Sequence, residues 1–218
     1  MFRSILLFFM FLPFSLLPNS YKEFIEWSSY TEPQVNVYKG MNYIEIEVEV
    51  PGMEVEKKVA ENDTFHVLIL EEYPTMLEIG KPALPVIKKV VEIPLSAEIS
   101  VTVEDTEAIE FQGYNVYPFQ KPLIEGEEPG PFEIDTNFYR KDTLYPFNIV
   151  KISHPGIWRH KRVVVVSFYP IKFNPAKKML RVYPKAKIRL EFGISKGSIT
   201  FNLFYRRCLS FSLSYSYS

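Results

Sequence analysis

The 218-residue chain is poor in three residue types that carry much of protein chemistry: it has one cysteine, three histidines and nine glycines. A lone Cys208 closes no internal disulfide, so an exported fold must rely on its apolar core. Cysteine-based metal clusters are excluded, and His66, His154 and His160 lack the spacing of a metal site. His154 and His160, in ISHPGIWRHKR, read instead as polar loop residues before a strand. No GxSxG elbow and no phosphate-cradling glycine loop occurs, so neither nucleophilic catalysis nor nucleotide chemistry is expected, and no cofactor. A dominant charge is missing too. Twenty-five basic and 26 acidic residues intermix, which leaves no stripe for nucleic acid.

What is present points to strands. Seventeen prolines with few glycines disfavour long helices. Residues 42–50, NYIEIEVEV, alternate at period two, with Ile44, Ile46, Val48 and Val50 on one face and Glu45, Glu47 and Glu49 on a wet face. That carboxylate row suits a solvated strand better than calcium, which takes ligands converging from loops. Segments 54–60 and 64–71 flank Asn62-Asp63 as a hairpin, and Asn62-Asp63-Thr64 also matches a glycosylation sequon. Further strands are expected at 86–93, within 97–111 and at 147–152. Residues 162–192 read as a hairpin: an apolar run at 163–168 suited to the middle of a sheet, a turn at 174–177, and a return through 180–183 and 187–192. Five Tyr-Pro pairs, at 73, 117, 145, 169 and 183, suit strand ends, where proline withdraws a ladder donor. A tyrosine platform for sugars is the sharper alternative. The fold class is all-β, an antiparallel β-sandwich or jelly-roll-like barrel with one long irregular loop.

Three segments stand apart from this sheet pattern. Residues 1–20 have a basic start, an apolar run over 5–17 and a polar exit, the order of a signal peptide. Export to the periplasm, cell surface or medium is expected, with no membrane span in the mature chain. One β domain then covers 21–195. The tail, 196–218, ends in SFSLSYSYS and shifts abruptly in composition, as a truncated or frameshifted frame would. Within the domain, 118–142 carries four prolines and two glycines without periodicity, and so long an irregular run is more often functional than idle.

Two sets of short motifs occur in order. Gly80-Lys81-Pro82-Ala83-Leu84-Pro85 precedes a strand that ends in Ile93-Pro94. Later come Tyr145-Pro146, Arg159 to Arg162, Tyr169-Pro170, Phe173-Asn174-Pro175 and Leu180-Arg181-Val182-Tyr183. Over residues 43–192 this resembles the N-terminal prodomain of gingipain-like (C25) cysteine peptidases, with Gly80, Pro82, Leu84, Pro85, Pro170, Asn174 and Pro175 as motif residues. The resemblance implies an all-β, non-catalytic domain that assists folding of a peptidase catalytic domain and covers its active site. It also implies a basic loop residue in the specificity pocket, for which Arg140 and Lys141 are candidates and Lys121 an outlying one. A charge-assisted, bidentate bond favours such a contact. The competing reading is a stand-alone secreted binding or adhesion module.

Overall fold

The computed structural model describes residues 22–27, 32–104, 107–128, 130–194 and 203–205. The expected signal peptide and, apart from 203–205, the tail with Cys208 lie outside the described residues. The strands are β1 (Lys22–Glu26), β2 (Gln34–Lys39), β3 (Tyr43–Glu49), β4 (Gly52–Ala60), β5 (Asp63–Ile69), β6 (Ile87–Glu92), β7 (Ala97–Glu104) and β8 (Ile109–Gln112). A single turn of helix, α1 (Thr136–Tyr139), precedes β9 (Val150–Ile152), β10 (Gly156–Trp158), β11 (Lys161–Phe168), β12 (Ile171–Asn174), β13 (Met179–Val182), β14 (Lys185–Ile194) and β15 (Leu203–Tyr205).

These strands form four open sheets rather than a closed barrel. One core lies between the sheet β15-β7-β14-β3-β2 and the sheet β10-β11-β6, with β9 also on β11. The alternating residues Ile44, Ile46 and Val48 of β3 meet Val164, Val166 and Phe168 of β11 there. Each such fully buried side chain is worth about 2 kcal/mol. A second core joins β1-β4-β5 to β12-β13-β8 through Met53, Val55, Leu68, Ile171, Phe173, Leu180 and Val182.

The wet face of β3 is explained by its neighbour. Glu49, Glu47 and Glu45 stand opposite Lys185, Lys187 and Arg189 of β14, with Lys185–Glu49 at 2.8 Å and Lys187–Glu45 at 2.9 Å. Such pairs have half-buried carboxylates and solvent-exposed cations, and opposite charges in register disfavour a strand slip.

The 162–192 stretch is four strands, not one hairpin. β11 continues through Tyr169-Pro170 into β12, and β13 through Tyr183-Pro184 into β14, so each chain passes from one sandwich to the other. β3 does the same through Val50-Pro51 into β4. The crossings are bonded side by side: Val50 N–H donates to Pro184 O at 2.7 Å, and Tyr183 N–H to Pro170 O at 2.7 Å. A proline at each crossing ends one ladder by removing a donor, and Pro170 is buried there. The middle-of-sheet position expected for 163–168 is found, although its outward Val163, Val165 and Ser167 are only half-buried.

Candidate functional site

The motif 80–85 acts as a scaffold. Thr75 pairs with Pro85, and Met76 N–H donates to Leu84 O at 2.8 Å, so the chain doubles back around Gly80. Gly80 sits at φ +76°, where L residues are strained. Pro82, Leu84 and Pro85 are buried, Leu84 completely.

Onto this turn dock both ends of the irregular segment. Gly80 N–H donates to Phe119 O (2.9 Å), Phe119 N–H to Lys81 O (2.8 Å) and Ala83 N–H to Tyr117 O (3.0 Å). From the far end, Asp135 N–H donates to Gly80 O at 2.9 Å. A Cβ on Gly80 would stand 3.1 Å from that same Asp135 nitrogen. His66 of β5 holds the near end: its N–H donates to Asn115 O, Tyr117 N–H donates to its carbonyl, and its Nδ1 accepts Asn115 N–H at 3.0 Å.

The segment is therefore ordered over most of its length, contrary to its irregular sequence. The side chain of Gln120 donates to Glu133 O at 2.8 Å and accepts from Glu133 N–H at 2.9 Å. This clasp imitates a β-pair and closes a loop at its neck. Phe132 packs between Phe65 and Tyr117, at 5.6 Å from each ring. Beyond the clasp, residues 121–128 and 130–131 are all exposed, with Leu123 64% and Ile124 60% accessible. Glu127 N–H donates to Ile124 O around Gly126 (φ +90°), which turns the crown.

Past the clasp, Asp135 caps α1 by accepting Phe138 N–H at 2.9 Å, Phe138 is buried, and Tyr139 donates its hydroxyl to Val116 O at 2.7 Å. Burial pushes the Tyr139 phenol well above its usual range, so it stays a donor. Lys81 bonds Glu78 at 2.6 Å, and Glu78 accepts the Tyr145 hydroxyl at 2.9 Å. The Lys81 bond, followed by that of Tyr145, holds the Glu78 carboxyl below its usual value.

The three candidate basic residues fall at two places. Lys121 is the first residue beyond the clasp, loosely paired with Glu127 at 3.9 Å. Arg140 and Lys141 follow α1, both exposed. Lys141 Nζ lies 5.9 Å from the Phe138 ring, whereas Arg140 makes no side-chain hydrogen bond or ion pair among the described residues. The end of this region is tied down by Asn174, buried, which donates to Asp142 Oδ1 at 2.7 Å and accepts Lys177 N–H at 3.2 Å. Pro175 beside it is buried as well. The clasp, the aromatic trio and the Lys81–Glu78–Tyr145 chain were not read from sequence, since their partners lie 13 to 67 residues apart, except for Lys81 and Glu78, which are three apart. Among the described residues, no group of three His, Cys, Asp or Glu could hold a metal, and no helix is long and apolar enough to cross a membrane.

This arrangement of motif turn and pinned loop lies within the region matched by the C25 propeptide family model, residues 26–201. The chain belongs to the C25 propeptide family. It is 27% identical over 153 residues to gingipain R2 of Porphyromonas gingivalis, an alignment covering 70% of this chain and 20% of that protein. With Lys-gingipain HG66 of the same organism it shares 22% over 148 residues, 64% of this chain and 8% of the relative. The chain thus spans about a fifth or less of these relatives' lengths. The fold matches that of a structure describing the zymogenic latency of gingipain K, with TM-score 0.70, 16% identity and coverage of 80% of this chain and all of that one. It also matches the complex of RgpB pro- and mature domains from P. gingivalis, with TM-score 0.68, 22% identity, and 75% and 87% coverage. The all-β arrangement of four open sheets in this chain is thus a fold shared with those two solved structures.

Proposed function

We propose that this C25 propeptide assists the folding of a gingipain-like cysteine peptidase and keeps it latent by laying the clasped loop region over its active site. The observation that carries the reading is a protruding loop held at both ends by a rigid turn, in a chain of a propeptide family. A loop whose ends are fixed loses little entropy on binding, so its contacts convert efficiently into affinity. Leu77 and Ile79, beside the motif turn, are exposed, as Leu123 and Ile124 of the loop are. Arg140 enters the specificity pocket of an Arg- or Lys-specific enzyme, with Lys141 next to it and Lys121 as the other available cation. Export with a leader peptide places the pair in the periplasm, at the cell surface or outside. Family membership favours this reading over a stand-alone adhesion module.

The test is inhibition of an Arg- or Lys-specific cysteine peptidase by the purified chain and by Arg140→Ala/Lys141→Ala and Lys121→Ala variants. Removing a buried, hydrogen-bonded charge from an interface costs about 2–5 kcal/mol, so the responsible variant should weaken inhibition by about 30-fold or more. Its unfolding free energy should stay within about 0.5 kcal/mol of the parent, because the side chains are exposed. Full inhibition by both variants would remove the plug, and no inhibition by the parent would remove the latency role.

A further inference from the structure

Away from the clasped loop, three turns from distant parts of the sequence meet at one end of the first sandwich. They are the β2–β3 turn (38–42), the β6–β7 turn (93–97) and the tip of the β10–β11 hairpin (157–162). Arg162 joins two of them: its guanidinium donates to the carbonyls of Pro94 (3.1 Å), Leu95 (3.0 Å) and Ala97 (2.9 Å). The third is joined through β14, whose Phe192 N–H donates to Asn42 O at 2.8 Å while Gly193 and Ile194 pair with Glu98 and Ala97.

Each turn presents a large apolar side chain to water. Met41 is 96% exposed, Leu95 72%, Ile157 70% and Trp158 59%. Separate protruding tips of this kind are a poor match for a protein pocket and a good one for a soft interface that each tip can enter independently. The charge at this end is one-sided. The three turns hold Lys39, Arg159, Lys161 and Arg162, with His160, and no Asp or Glu, although the whole chain carries net charge −1. Two carboxylates stand at their rim: Glu92, bonded by Lys161 at 2.7 Å, and Glu98, the next residue after the β6–β7 turn. Arg159 also lies 5.5 Å from the Trp158 ring. The hairpin tip itself is a two-residue turn with Arg159 at φ +48° and His160 at φ +67°, a conformation that glycine or asparagine adopts with less strain. Two costly residues therefore hold the cation and the aromatic ring at the summit.

We propose that this end is a peripheral docking surface for an anionic lipid bilayer: Met41, Leu95, Ile157 and Trp158 enter the headgroup–acyl boundary, Lys39 and Arg159 face lipid phosphates, and Lys161 joins them from its pair with Glu92, while Arg162 holds the turns together. Tryptophan prefers that boundary, and apolar insertion combined with cations is how a folded domain binds reversibly to a membrane surface. The clasped loop, with Glu125, Glu127 and Glu128 beside Leu123 and Ile124, is repelled by the same surface, which leaves it free for a protein partner.

The experiment is sedimentation of the full chain with vesicles of phosphatidylcholine alone or with about 30% phosphatidylglycerol, together with tryptophan emission. The chain has two tryptophans, and Trp27 is half-buried with its indole N–H donated to Val50 O. Trp158 should therefore dominate a blue shift on the anionic vesicles, and Trp158→Phe should abolish it. An apolar N-terminal stretch inserts equally in every variant, so the readout is the difference between variants. Each cation near an anionic surface is worth about fivefold in partitioning, so Arg159→Glu/Lys161→Glu should lower the charge-dependent binding by at least about 25-fold. Leu123→Ser/Ile124→Ser should leave it unchanged. Equal binding of the charge-reversed and parent chains, or binding without a Trp158 shift, would overturn the proposal. So would loss of peptidase inhibition in the Trp158 or charge-reversed variants without lipid binding by the parent, which would assign this end to the protein partner.

Discussion

His66 makes the attachment of the clasped loop depend on pH. Its Nδ1 accepts Asn115 N–H at 3.0 Å, so the imidazole must be neutral there, with its proton on Nε2. Burial, the largest influence, pulls its pKa below the usual 6.5; a backbone hydrogen bond with Asn115 and the charge of Glu23 of β1 oppose it, while Lys57 across the strand pair and Lys178 of the β12–β13 turn press the same way as burial. Tyr114 stacks against the ring at 5.0 Å. With the folded pKa depressed, the unfolded chain binds the proton first, so stability falls as pH drops below 6.5 toward the folded value. Protonation turns an acceptor into a donor facing the Asn115 N–H. One lost hydrogen bond with a donor left half-buried amounts to about 1–2 kcal/mol. In a chain of this size that is about 2–8 °C in Tm. The depressed carboxylates Glu78, Glu92 and Asp142 lose their contributions only at more acid pH, as it falls from the ordinary carboxylate value toward their lower folded values, so the two effects separate. Thermal melts between about pH 7.5 and 5 should show the decline in the parent. His66→Asn keeps an oxygen near the Nδ1 position that does not titrate, and its melts should be flatter over the same interval. His66→Phe should lose the bond at every pH. Equal slopes for the parent and His66→Asn would refute the assignment.

Two further substitutions test the scaffold. Gly80→Ala places a side chain at φ +76° and a methyl 3.1 Å from Asp135 N, across the Asp135–Gly80 hydrogen bond; urea unfolding should show a loss of about 1.5–3 kcal/mol, and a change below about 0.5 would refute the role. Lys172, buried on β12 with its ammonium donated to Phe147 O at 2.7 Å, has its pKa pulled down to about 8 by burial and then by Arg181, so its charged form is disfavoured on folding. Because the folded pKa lies below the usual 10.5, stability should rise with pH between about 8 and 10.5. Lys172→Met should gain about 1–2 kcal/mol at pH 7 and lose that advantage by about pH 10, whereas destabilisation at pH 7 would show the Phe147 bond to outweigh desolvation.

How far the fold could be read before the structure depended on the range of its interactions. Period-two alternation declares a strand from its own residues, which is why β3 and β14 were legible, together with the face each buries. β1 and β2 were missed because KEFIE and QVNVYK are short and polar; β1 is a strand through its pairing with β4, with Gly52 allowing the close approach of Ile25 O. The Tyr-Pro pairs at 169 and 183 were correctly placed at strand ends, but a sequence cannot distinguish a strand that stops from one that changes sheet. That distinction rests on Val50 and Tyr183 donating across the crossings to Pro184 and Pro170. The site follows the same rule. The strand-poor composition of 118–142 announced an excursion, and the motif around Gly80 announced a family resemblance. That one is the anchor of the other is a relation between residues 39 and 55 positions apart, Gly80 with Phe119 and Asp135. Proline there had marked the segment as irregular, yet Pro82 and Pro118 form an isolated bridge. In this propeptide the irregular segment is fixed from outside itself, so its conformation is a property of the folded domain and not of its own sequence.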